Sequence, residues 1–209
     1  MSAAATLSAD RAASRRELRR WLQLVASVFV MMALAGVQYA WPVLSTGPGV
    51  GVRTSLTAMQ DALAAYVILE AVFVPLEGFL ADRLGRPVLL VAGGAVVAAG
   101  LLGAGRAESL RALVAFSALG GVGAALVYGA TVGKALRCFP DRRVACVGVT
   151  AGASAAVAAL APWTLAAAAR FPGGFPALLL LGAAEGAVIV VAALFVVDPP
   201  GPSDSAPCG

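Results

Sequence analysis

Histidine is absent from this 209-residue chain, and lysine occurs once, at Lys134. The first absence removes the commonest metal ligand and the side chain that most readily titrates near neutral pH. Charge of either sign is scarce. Asp, Glu, Lys and Arg make up 12% of the residues, against about 25% in a soluble domain. That leaves too few charges to cover a water-facing surface of this size, so a soluble enzyme is excluded. The three cysteines, Cys138, Cys146 and Cys208, have no CxxC spacing, which argues against a disulfide framework or a thiolate metal site. No nucleophile–base pair and no metal-ligand cluster is visible. The chain therefore reads as a non-enzyme needing no cofactor and no metal.

What is present is apolar. Hydrophobic residues account for 60% of the chain and the mean hydropathy is +0.90. These values exclude disorder and leave a multi-spanning helical membrane protein. The net charge of +4 fits a membrane protein with basic loops on one side. With no soluble basic face, nucleic acid is not an expected partner.

Charges divide the chain into spans. Residues 21–52, 87–105, 112–133 and 144–169 carry none; 171–197 contain only Glu185, and 62–81 only Glu70 and Glu77. A helix rises about 1.5 Å per residue and must cross about 30 Å, so each stretch holds one span of roughly 20 residues. Six all-α transmembrane helices are predicted, at 22–44, 62–81, 87–105, 112–134, 145–168 and 176–197. The runs of Ala, Val, Leu and Gly do not alternate, which excludes barrel strands. The first apolar stretch is too long for a signal-peptide core, so it reads as a retained helix. This divides the chain into a basic segment (1–20), a six-helix bundle (21–197) and a Pro/Ser/Gly tail (198–209).

An inward N-terminus places Arg11, Arg15, Arg16, Arg19, Arg20, Arg83, Arg86, Lys134, Arg137, Arg142 and Arg143 on the cytoplasmic side. Only Arg53, Arg106, Arg111 and Arg170 then face out. Both termini are thus predicted to be cytoplasmic.

Within the spans, Glu70 and Glu77 lie seven residues apart and share a face of helix 2. A charged side chain at the bilayer centre costs about 2.5–3.5 kcal/mol on insertion scales, so such acids face a bundle interior or a water-filled cavity. Two readings of Glu70 stand: a proton- or solute-pathway acid, or a hydrogen-bonded packing residue. Glu77 and Glu185 read as structural. Gln38 and Tyr39 offer polar groups to a cavity, or belong with Trp41 to an interfacial aromatic belt. Pro42 is expected to bend or end helix 1. Tyr128 stands among the glycines of helix 4 as a cavity phenol. Gly120, Gly121 and Gly123, and the GxxxG pairs Gly129/Gly133 and Gly148/Gly152, are expected to let helix backbones approach closely.

Two loops carry a resemblance. Gly78-Phe79-Leu80-Ala81-Asp82-Arg83-Leu84-Gly85-Arg86 resembles the GxLaDrxGrr signature of the major facilitator superfamily, in which Gly78 lets a neighbouring helix pack closely. The segment from Tyr128 through Lys134 to Phe139-Pro140-Asp141-Arg142-Arg143 resembles the helix 4 to helix 5 region of the oxalate/formate antiporter family. Gln38-Tyr39-Ala40-Trp41 and Pro75-Leu76-Glu77-Gly78 are similar to that family too. The similarity covers residues 20–197 and corresponds to the N-terminal half of such a protein.

The resemblance implies a single lobe with a 3+3 inverted helix repeat, half of a full transporter of the bacterial inner membrane. It implies alternating-access movement of small carboxylates. Gln38, Tyr39, Tyr128 and Glu70 would face the solute. Gly78, Asp82, Arg83, Gly85, Arg86, Asp141, Arg142 and Arg143 would form the conformational loops. No Lys or Arg lies deep in any span, so the cations expected to hold an anion would belong to a second lobe, on a separate chain or in a second copy. The alternative is a non-transporting membrane subunit or a truncated remnant of such a transporter.

Overall fold

The computed structural model describes residues 3–46, 56–139, 142–168, 187–189 and 191. They form five helices: α1 (Ala3–Thr46), α2 (Leu56–Leu84), α3 (Arg86–Ala104), α4 (Leu110–Cys138) and α5 (Arg143–Ala168). Each of the first five predicted spans falls on one of these helices. Most of the sixth, including Glu185, lies outside the described residues. Its residues 187–189 and 191 are helical, and Ile189 is fully buried against Gly94 of α3.

Helix α1 is longer than the first predicted span at both ends. The basic segment before residue 21 is continuous with the first helix, because residues 3–35 contain neither Gly nor Pro and are rich in Ala, Leu and Arg. The helix also runs through Pro42 to Thr46, so the proline does not end it.

The α2–α3 connection is a single residue. Gly85 adopts φ 82°, a left-handed conformation that glycine enters without a Cβ penalty. Its N–H donates to Ala81 O at 3.2 Å, and its carbonyl accepts from Leu89 N at 3.2 Å. Pro87 follows in the first turn of α3, where its missing N–H costs nothing. At the other end of the hairpin, Ser109 caps α4 by accepting from Ala112 N at 3.3 Å.

Helix α4 is the hub and touches each of the other four helices. Its tightest partner is α3. A Cβ on Gly100 would stand 2.5 Å from Gly120 N, and one on Gly123 2.5 Å from Val97 N, so the two backbones meet directly. Val97, Leu101, Ala104, Leu113, Ala124 and Val127 close the core around that contact. Three buried hydroxyls are satisfied within their own helices. Thr131 Oγ1 donates to Val127 O at 2.6 Å, Thr150 Oγ1 to Cys146 O at 2.9 Å and Ser27 Oγ to Gln23 O at 2.8 Å.

Three of the described helical stretches are long and apolar enough to cross a bilayer: Thr57–Leu84, Arg86–Ala104 and Leu110–Leu136. Shorter apolar stretches are described in α1, Arg20–Gly36, and in α5, Arg143–Val157. Helix α2 is much less covered than α3 or α4. It leaves Val67, Ile68, Val72, Leu76 and Phe79 exposed. An apolar face of this extent calls for lipid or another protein to cover it.

Candidate functional site

Tyr66, Glu70 and Glu77 share one stripe of α2, since steps of four and seven residues rotate little around a helix. Tyr66 anchors the stripe. It is 1% exposed, and a Cβ on Gly121 of α4 would collide with its carbonyl oxygen. The two acids on the same stripe meet different neighbours.

Glu70 reaches α1. Gln38 Nε2 donates to Glu70 Oε2 at 2.6 Å, and both side chains are half-buried. The bond crosses from α1 to α2, which otherwise pack mainly against α5 and α4 respectively. No Asp, Glu, Lys or Arg occurs in residues 21–46, 87–105, 112–133 or 144–168. Those stretches therefore offer no cation, and the partner described for Glu70 is a neutral amide. Pro75, five residues further along, has no N–H to offer the Ala71 carbonyl, so the helix between the two acids lacks one backbone bond.

Glu77 instead lies in a notch. It is buried, and its carboxylate occupies the space that a Cβ on Gly129 of α4 would take. One turn further along α4, the space beside Gly133 is filled by the Arg86 guanidinium, with Nη1 2.5 Å and Cζ 2.7 Å from a Cβ built there. Arg86 comes from the first turn of α3, placed there by Gly85. Glu77 and Arg86 attract one another electrostatically. Two charges from α2 and α3 thus lie along two glycines of α4, with the buried Lys134 next in the chain.

Gly129/Gly133 therefore admit side chains rather than a neighbouring helix backbone, which corrects the packing expectation. Gly148, Gly152 and Gly78 would meet nothing within 4 Å among the described residues, so they make no close contact with the helices described. The backbone-to-backbone approaches belong to Gly100 against Gly120, Gly123 against Val97 and Gly121 against Tyr66. The seven-residue step from Gly93 to Gly100, with Val97 between, was the available signal for the α3 half of the α3–α4 contact.

The pattern of the Major Facilitator Superfamily matches residues 23–207, most of the chain. The chain belongs to the major facilitator superfamily. It is accordingly a multi-pass membrane protein from a family of transporters. It is also similar to the oxalate:formate antiporter of Oxalobacter formigenes, 33% identical over 183 residues. That alignment takes in 87% of this chain and 43% of the relative, so the chain spans less than half the length of the protein it matches.

The remaining predicted residues are placed as follows. Tyr128 is half-buried and packs against the main core cluster. The side chain of Tyr39, and Asp141, lie outside the described residues. Gly78, Asp82, Arg83, Arg142 and Arg143 are exposed, with the Arg83 guanidinium 4.4 Å from the centre of the Phe79 ring. The structure thus joins Gln38 to Glu70. Of the signature loop, it draws Arg86 inward and leaves Asp82 and Arg83 outside. Near the same end, Trp21 of α1 meets Phe139 edge-on at 5.5 Å, beside a small cluster of Leu24, Ala135 and Cys146.

Proposed function

We propose that this chain is one lobe of a membrane transporter that moves small carboxylates, of the oxalate and formate kind, by alternating access. The observation that carries the reading is the Gln38–Glu70 hydrogen bond across the α1–α2 seam. A polar pair bridging two otherwise apolar spans is what lines a solute path in a helical bundle. Tyr39, one residue beyond Gln38, and Tyr128 complete the solute-facing set in this reading. The name of the Oxalobacter relative supplies the solute class.

The second lobe is part of the proposal. Six helices, the sixth over 176–197, form a bundle of two inverted three-helix repeats. The poorly covered apolar face of α2 packs against a matching bundle from a separate chain or a second copy. That partner also brings the cations that this lobe's spans lack. The loops at Gly78–Arg86 and Asp141–Arg143 face the cytoplasm of a bacterial inner membrane, with both termini on that side, and change conformation during the cycle.

The test is uptake of radiolabelled oxalate and formate into liposomes carrying this chain alone and together with a second six-helix lobe. Uptake that requires the second lobe is expected. A folded, inserted pair that accumulates neither acid would overturn the reading.

A further inference from the structure

Helix α1 carries two opposite stripes. Leu24, Ser27, Met31 and Leu34 are buried, and their steps of three and four lead on to Gln38, which meets α2. Half a turn round the helix, the same steps join Arg15, Leu18, Leu22, Val25 and Phe29, all exposed. Arg11 holds the next position of that register, one turn before Arg15. Opposite the side that meets α2 there is thus a stripe on which apolar residues give way to arginines.

Its dimensions match one leaflet of a bilayer. From Leu18 to Phe29 the helix rises about 16 Å, half of a hydrocarbon core roughly 30 Å thick. Arg15 stands one turn beyond Leu18, at the depth of the headgroups. Arg11, Arg15 and Arg19 step by four along the helix and form a row. Residues 10–20 hold five arginines against two acids, Asp10 and Glu17. These acids, seven residues apart, fall on a different face from the row. Trp21, beside the stripe and 48% exposed, marks the boundary where aromatic rings gather.

We propose that this face of α1 binds an anionic phospholipid of the phosphatidylglycerol kind, its phosphate held by Arg15 and Arg19 and one acyl chain lying along Leu18, Leu22, Val25 and Phe29. Charge and length together select this occupant. A zwitterionic lipid offers the same chain but no net charge to the arginine row. Guanidinium groups suit phosphate because their paired N–H donors match its oxygens. Arginines that only set topology need no particular helix face. These share the register of an exposed apolar stripe, so one lipid molecule can engage both parts at once.

The test uses the full chain with Trp41→Phe and Trp163→Phe, which leaves Trp21 as the remaining tryptophan. It is reconstituted in liposomes of phosphatidylcholine and phosphatidylglycerol, with one or the other lipid carrying brominated chains that quench tryptophan on contact. At equal mole fraction, brominated phosphatidylglycerol is expected to quench Trp21 more strongly than brominated phosphatidylcholine. Arg15→Gln should lower the affinity ratio of the two lipids about fivefold, the contribution of one basic side chain at an anionic surface. Arg16→Gln, the same charge lost from another face, should leave the ratio unchanged. Equal quenching by the two lipids would overturn the proposal. So would equal losses in Arg15→Gln and Arg16→Gln, which would mean a diffuse surface charge. Quenching by neither lipid would mean that protein covers the stripe, and would overturn it as well. If Arg15→Gln does not reach the membrane, Arg19→Gln takes its place with the same expected result.

Discussion

Glu70 and Glu77 sit on one face of one helix, two turns apart, and have little else in common. Glu70 is half-buried, opens onto the α1–α2 seam and is held by a neutral amide. Glu77 is buried in a notch between Gly129 and the Arg86 of a third helix. The first acid could change its charge without stranding an ionised partner. The second lies beside the Arg86 guanidinium, so a change in its charge would remove an attraction between α2 and α3. Their difference separates a residue suited to participate in a cycle from one suited to hold three helices in register. It arises from distance to the α2–α3 turn: Gly85 can present Arg86 to the last turns of α2 but not to the middle of the span.

This contrast can be broken experimentally. The largest effect is expected from Arg86→Ala, which leaves Glu77 buried beside Gly129 without its cation. Removing one member of a buried pair costs about 3 kcal/mol, read as a fall in denaturant resistance in detergent. The double variant Glu77→Gln/Arg86→Gln should recover much of that loss. If Arg86→Ala were no more harmful than Glu70→Gln, the two acids would be equivalent and the comparison would fail.

Next in size is Gly129→Ala, which intrudes on the Glu77 carboxylate and should cost about 1–3 kcal/mol by overpacking. Gly133→Ala should cost less, since the guanidinium it meets is the tip of a flexible side chain. A reversed order in thermal unfolding would misplace the notch. Glu70→Gln should change stability by no more than about 1 kcal/mol, because an amide–amide bond can replace the present one. The smallest expected change is for Gly148→Ala. None of the described residues lies within 4 Å of the added methyl, so helix propensity favours the variant by up to about 1 kcal/mol. A clear destabilisation there would reveal a neighbour of α5 beyond the described residues.

Much of the fold could be read from the charge-free stretches, because the need to span a bilayer with satisfied backbone hydrogen bonds leaves helices as the solution. The spacing also showed that Glu70 and Glu77 share a face. It did not show that Gln38 would meet one of them, since the crossing of α1 over α2 depends on packing by α4 and α5. The Gly129/Gly133 pair shows the limit most clearly. GxxxG marks a groove on a helix, but tertiary register decides whether backbone, carboxylate or guanidinium fills it. The same spacing at Gly148/Gly152 is filled by nothing among the described residues. The extension of α1 to Ala3 was obscured for another reason. Arg and Glu favour helix while lowering hydropathy, so a span boundary drawn on charge hid a continuous helix.

The most direct test of a solute path through the Gln38–Glu70 seam is the rate of labelled oxalate and formate uptake by wild type and by Gln38→Ala, in membranes shown to hold equal amounts of folded protein. The account predicts uptake by wild type and a loss of about tenfold or more when the amide is removed, the scale of a lost hydrogen bond to a charged or ionisable group. Equal uptake by both proteins, or none by the wild type together with the proposed second lobe, would contradict it.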